Sequence, residues 1–205
     1  MTAARPALEG LDGPVSAHLE LDRRDLALAE ERISELTGAG VTALIPSITS
    51  QDPHDTDYAA SSERLLDTLC LGLAAAAKGV RWIAVEPEPL MWVPVVAALA
   101  SATPTGGRVH VVSMDPPGRI AAIWVGVGEE TQWALIVVNP RQESVSLSAR
   151  CPMPARIRTA HRIALHAQDG FAPHHDLVPV HADQLADLVP GLAVVVYTDV
   201  PPEGG

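Results

Sequence analysis

Apolar and polar residues alternate near the start of the chain and then settle into a helical period. Val15, Ala17, Leu19 and Leu21 alternate with Ser16, His18, Glu20 and Asp22, the period of two expected of a half-buried strand. Asp22 is placed to cap a helix carrying Leu26, Ala29, Ile33 and Leu36 on one face. Gly38 and Gly40 end that helix, and Val41 to Ile48 reads as a buried strand. The polar stretch Thr49 to Asp57 reads as a loop, and a second helix is expected from Tyr58 to Lys78. From Leu69 to Ala77 this helix is apolar on nearly every side, which predicts deep burial. Gly79 caps it, Val80 to Val85 is a short apolar strand, and a helix follows around Trp92 to Ala102. Gly106 and Gly107 lead into the strand Val109 to Met114. The repeating order of strand, helix, glycine and strand predicts right-handed crossovers and a partial parallel βα-repeat layer, barrel-like or open.

After Asp115-Pro116-Pro117-Gly118 the pattern changes. Ile120 to Val127 and Gln132 to Val138 read as strands joined by a turn, the second closed by Asn139-Pro140. Val145, Leu147 and Ala149 alternate with Ser144, Ser146 and Ser148, giving one dry and one wet face. Ile157, Thr159, His161, Ile163 and Leu165 share a face opposite Arg156, Arg158 and Arg162. A loop holding Gly170, Pro173 and Pro179 precedes the last strand, Leu192 to Thr198. Strands without intervening helices predict a small antiparallel β-sandwich or meander. The expected division is an α/β domain over 1–107 and an all-β domain over 108–205.

Composition narrows the chemistry. A formal net charge of −11, with no basic stripe, argues against nucleic-acid and anionic-membrane partners. Only 3% of residues are aromatic, so Ala, Val, Leu and Ile must build the core. Basic residues are almost all arginine, with Lys78 the single lysine, which suggests a high-GC, bacterial genome. Cys70 and Cys151 are too few and too far apart for a disulfide framework or a zinc site. No secretory signal and no stretch of spanning length is visible, so the expected location is cytoplasmic.

The second half resembles a known architecture. Gln132 to Pro140, the following Ser-Val-Ser-Leu-Ser, and Pro190 to Tyr197 look like the C-terminal β-sandwich that follows the (β/α)₈ barrel in many glycoside hydrolases. The resemblance covers roughly residues 108–200 and implies that the first half corresponds to the end of such a barrel. Only about 100 residues precede the sandwich, whereas a complete barrel takes about 250. The implied object is therefore a truncated or degenerate version.

Within this resemblance Glu86 has the placement of a barrel carboxylate at the C-terminal end of a strand. Glycosidases work with two carboxyl groups about 5–10 Å apart, and Glu88, stiffened by Pro87 and Pro89, stands beside Glu86 as the second candidate. Trp82 and Trp92 are candidates for an apolar sugar-stacking platform. Asp52, His54 and Asp55 lie in the loop after the second strand, where α/β proteins gather ligand contacts. The duller readings are a solvated acidic turn, two core tryptophans, and a loop whose Asp57 caps the next helix. Nothing in the sequence calls for a cofactor or a resident metal. His161, His166, His174, His175 and His181 lack metal-motif spacing, and nucleophile and phosphate-cradle motifs are absent.

Three functions stay open at this point. One is a carbohydrate-active protein related to glycoside hydrolases, hydrolysing or binding glycosides. Another is a non-catalytic structural or partner-binding module, which predicts a homo-oligomer or an associated subunit. The third is a small-molecule or metal-binding α/β domain that uses the Asp52 to Asp57 loop.

Overall fold

The computed structural model describes residues 16–22, 28–49, 62–82, 92–103, 108–111, 121–126, 132–150, 159–181 and 184–201. Three parallel strands come first: β1 (Ser16–Asp22), β2 (Ala43–Thr49) and β3 (Arg81–Trp82). They lie in chain order, with Ser16 opposite Ala43 and Asp22 opposite Thr49, and with Ala43 and Leu44 opposite Arg81 and Trp82. Helices α1 (Ala29–Gly38) and α2 (Ser62–Ala77) form the two connections.

Both helices cover the same face of this sheet. Leu19, Leu21, Leu44 and Ile48 pack with Ala29 and Ile33 of α1 and with Leu71 and Ala75 of α2. That arrangement follows from handedness: successive right-handed crossovers in one direction put every helix on one side. Asp22 does not cap α1, because it is the last residue of β1 and Leu28 stands at the cap position. Gly79, at φ +77°, closes α2, and Val80 N–H donates to the Ala75 carbonyl to turn the chain into β3.

Helix α2 is buried on both sides, as its sequence requires. Leu71 and Ala75 face the parallel sheet, while Leu65, Leu66, Leu69 and Leu73 face the second half of the molecule. There α2 joins α3 (Trp92–Ala102) in covering an antiparallel sheet through Val95, Ala98 and Ala102.

That sheet has eight strands, hydrogen-bonded in the order β4 (Arg108–Val111), β5 (Ala121–Gly126), β6 (Trp133–Asn139), β11 (Ala193–Thr198), β8 (Thr159–His166), β9 (Pro173–His181), β10 (Gln184–Val189) and β7 (Val145–Arg150). It folds over at β9, which pairs with β8 from Pro173 to Pro179 and with β10 through Val180 and His181. The result is two facing layers. Trp133, Leu135, Val137, Val195 and Tyr197 of one meet Leu147, Ala149, Leu185 and Val189 of the other.

Strands β6 and β11 are therefore covered twice, by helices through Ile136, Val138, Val194 and Val196 and by the second layer through their alternate residues. This explains why both read as continuous apolar runs rather than alternating ones. Strand β8 departs from the expectation of one inward face. Ile163 and Leu165 face the helices, but Ala160 and Ala164 face the second layer, and His161 is only half-buried.

The segment expected to be a loop with Gly170, Pro173 and Pro179 is instead the pair β9 and β10. Its prolines obscured the strand signal but sit where they do little damage. Pro173 begins β9, and Pro179 is the last residue paired with β8 before the strand crosses to β10. His174, His175 and Asp176 are consequently strand residues and not a loop triplet.

Candidate functional site

The parallel strands deliver the chain toward one edge of the sheet. Asp22 and Thr49 stand opposite each other there, and β3 runs in the same direction from its pairing with Ala43 and Leu44. Arg64, in the first turn of α2, donates from Nε to the Ile48 carbonyl at 3.1 Å and so fixes the helix start against the end of β2. In the sequence Asp52, His54 and Asp55 fall between Thr49 and Ser62, and Glu86 and Glu88 follow Trp82.

Asp52, His54, Asp55, Glu86 and Glu88 lie outside the described residues. Trp82 ends β3 and Trp92 begins α3, and their side chains are outside the described part as well.

One set of polar residues near this edge was passed over in the sequence. Because Leu19 and Leu21 turn toward the helices, His18, Glu20 and Asp22 occupy the opposite face of β1, which α1 and α2 leave uncovered. His18 and Glu20 are exposed and Asp22 is half-buried. The alternation that marks β1 already separates these residues from the leucines. What it cannot say is that both neighbouring helices fall on the leucine side.

A second polar cluster lies between the two layers of the sandwich. Asp187 on β10 accepts hydrogen bonds from Arg162 Nε at 2.8 Å and from Tyr197 Oη at 2.7 Å, and Asp176 lies 3.3 Å from the Arg162 guanidinium. Burial pulls the Arg162 pKa down, but the Asp187 carboxylate and Tyr197 outweigh it and hold the guanidinium above its usual range. Burial also pushes the Tyr197 phenol well above the usual tyrosine range, reinforced by its hydrogen bond to Asp187. Such a group binds neighbouring strands rather than a substrate, since every charge in it is already answered from within. Arg162 had been expected on the face opposite Ile163, and so it is, but that face is interior.

At the β8–β9 connection His174 Nε2 lies 3.2 Å from Asp169 Oδ2, and the His166 ring meets the His174 ring edge-on with centroids 6.2 Å apart. Among the described residues no group of three His, Cys, Asp or Glu side chains is arranged to hold a metal ion. No helix among them is long and apolar enough to cross a membrane.

No family model and no curated protein matches this chain. Its fold, however, is found in solved structures. A GH30 endoxylanase from Clostridium papyrosolvens superposes with a TM-score of 0.60 at 9% identity, covering 90% of this chain and 48% of that one. An arabinose-bound GH51 α-L-arabinofuranosidase gives 0.54 at 12% identity, covering 96% and 38%. A noncanonic maltogenic α-amylase from Thermotoga neapolitana gives 0.52 at 16% identity, covering 87% and 48%. The likeness is one of fold, and this chain spans less than half the length of each of these three glycoside hydrolases.

Proposed function

We propose that this chain is a carbohydrate-active protein related to glycoside hydrolases, with its site at the C-terminal edge of the β1-β2-β3 sheet. The observation that carries the reading is the winding of that sheet, in chain order with both helices on one face and a polar, helix-free face on β1. That winding supports a (β/α)-barrel-like reading of the small parallel sheet, and such barrels keep their chemistry at the C-terminal ends of their strands. In this reading Glu86 is the general acid or nucleophile, with Glu88 beside it, and Trp82, Trp92, Asp52, His54 and Asp55 contact the sugar. Asp22 joins them as an alternative second carboxylate.

The test is turnover of a panel of chromogenic glycosides by wild type, Glu86→Gln and Asp22→Asn. Loss of a general acid lowers turnover by a factor of about 10² to 10⁴. Equal turnover in all three, or none in the wild type, removes the catalytic reading.

A second reading rests on α3. Val95, Ala98 and Ala102 are buried, yet Val93 is 60% and Val96 48% exposed on the other side of the same helix. A helix apolar all round is normally covered all round. In this reading the chain is a non-catalytic module whose α3 packs against a second copy or an associated subunit. Light scattering of the purified chain tests it, and a monodisperse monomer counts against self-association.

A further inference from the structure

Resting on the second reading above, we propose that the partner of α3 is a second copy of this chain, and that the outer side of α3 packs across a two-fold axis onto the helix-facing side of β9 in the other copy. Both surfaces are present and uncovered in each chain. Val95, Ala98 and Ala102 bury one side of α3, while Val93, Val96, Ala97 and Ala100 stay exposed. No charged residue occurs in α3. Helix α1 shows what a solvated side carries in this protein, since Glu30, Glu31, Arg32 and Glu35 are exposed on it.

The second surface lies on the sheet. Helix α2 lies over β4, β5 and β6, and α3 lies over β11 and β8. Strand β9 comes next in the hydrogen-bonding order, yet it gives no residue to the cluster beneath the helices. Its register fixes which residues face that way. Pro173 stands opposite Leu165, His175 opposite Ile163 and Leu177 opposite His161, and residues directly opposite one another share a face of the sheet. Ile163 and Leu165 lie under the helices. Pro173, His175 and Leu177 therefore occupy the same face one strand further out, and all three are exposed, Leu177 at 63%. A helix is about 10 Å across and strands are about 4.8 Å apart, so each helix covers about two strands. The sheet has room for one more helix at β9.

Charge and shape together select a second copy. A chain with a formal net charge of −11 repels its own copies over most of its surface, so a close contact between copies requires faces free of carboxylates. The outer side of α3 and the strip formed by Pro173, His175 and Leu177 carry none. One two-fold contact covers both at once, with α3 of each copy taking the vacant place over β9 of the other. Such an isologous contact closes at two copies. A contact made through α3 alone, with any partner, leaves Leu177 in water.

Sedimentation equilibrium of the full chain tests this with Val93→Lys, Leu177→Glu and a mixture of the two. The wild type is expected to be a dimer. Each variant alone associates about 10³-fold more weakly, because a charge set in the apolar core of the interface falls on both halves of the two-fold. Mixing them sets lysine against glutamate at one contact, leaves the other as in wild type, and restores the dimer. Both residues are exposed in the single chain, so the far-UV spectra stay those of wild type. A dimer that Val93→Lys breaks and Leu177→Glu leaves intact overturns this inference while the second reading stands. A wild type that is monomeric at every concentration overturns the inference together with the self-association it rests on.

Discussion

Arg162 and Asp187 belong to different layers of the sandwich, and the Arg162 Nε–H donates to Asp187 Oδ2 across 2.8 Å. Their side chains are 13% and 21% exposed, so both charges are largely out of water. Tyr197 reaches the same carboxylate oxygen from β11, making Asp187 the common acceptor for two strands of the facing layer. The Arg162–Asp176 contact is different in kind, since Asp176 is 63% exposed and that pair is screened.

The first expectation concerns this node. Asp187→Ala leaves a buried guanidinium and a buried phenol facing an apolar gap, and removing one partner of a buried pair costs about 3–5 kcal/mol. The partial exposure of Asp187 places the loss just below that range, about 2–3 kcal/mol by urea unfolding. The double variant Arg162→Met/Asp187→Leu removes both charges and recovers most of that stability. A double variant as unstable as the single one would show that the layers depend on the charges themselves.

Why this node escaped the sequence is instructive. Arg162 sits between His161 and Ile163 in a strand that alternates, and an alternating strand predicts one wet face. Whether the wet face stays wet depends on a second layer arriving over it. That layer is made by β7, β9 and β10, of which the last two were hidden behind Pro173 and Pro179. Helix α2 shows the opposite case: an apolar surface on all sides admits only burial, so its burial was legible from Leu69 to Ala77 alone, though the two sheets that supply it were not. The parallel order of β1, β2 and β3 was likewise legible, because each helix with its glycine stop is long enough to cross back, but the same pattern misled after α3: the strand expected over Val109 to Met114 as the next parallel repeat is β4 (Arg108–Val111), which pairs antiparallel with β5. The polar face of β1 was not, because an alternating pattern does not reveal which side the helices will take.

A pH dependence follows from Tyr197. Its pKa is raised in the folded chain above the usual value of about 10, so the folded state keeps the phenol neutral where the unfolded chain begins to ionise. The stability this neutral phenol contributes is complete below pH 10 and is lost as pH rises beyond it. Unfolding free energy measured between pH 8 and 11.5 should fall more steeply in wild type than in Tyr197→Phe. At neutral pH the same variant loses about 1–2 kcal/mol with the hydrogen bond to Asp187. Parallel curves above pH 10 would assign the alkaline sensitivity elsewhere.

Two glycines make a controlled pair for the β6–β7 turn, where buried Asn139 donates from Nδ2 to the carbonyls of Glu143 and Pro190 and accepts from Arg141 N–H, while Leu192 N–H donates to the Arg141 carbonyl. Gly79 has a left-handed φ of +77° but open space where a Cβ would project, so Gly79→Ala meets only backbone strain, about 1–2 kcal/mol. Gly191 has an ordinary φ, yet the new Cβ would fall 1.9 Å from the Gln142 carbonyl oxygen and 2.5 Å from its carbon. Both are backbone atoms, and the preceding residue is tied by Arg141 N–H to Asn139 Oδ1 and by its carbonyl to Leu192 N–H, so no flexible side-chain end can give way. Gly191→Ala must therefore part the β6–β7 turn from the β10–β11 turn, breaking the Leu192–Arg141 bond and exposing Asn139, a loss of about 3–4 kcal/mol. Chemical denaturation of the two variants side by side decides the matter. A Gly191→Ala chain no less stable than Gly79→Ala would mean that the turn yields freely.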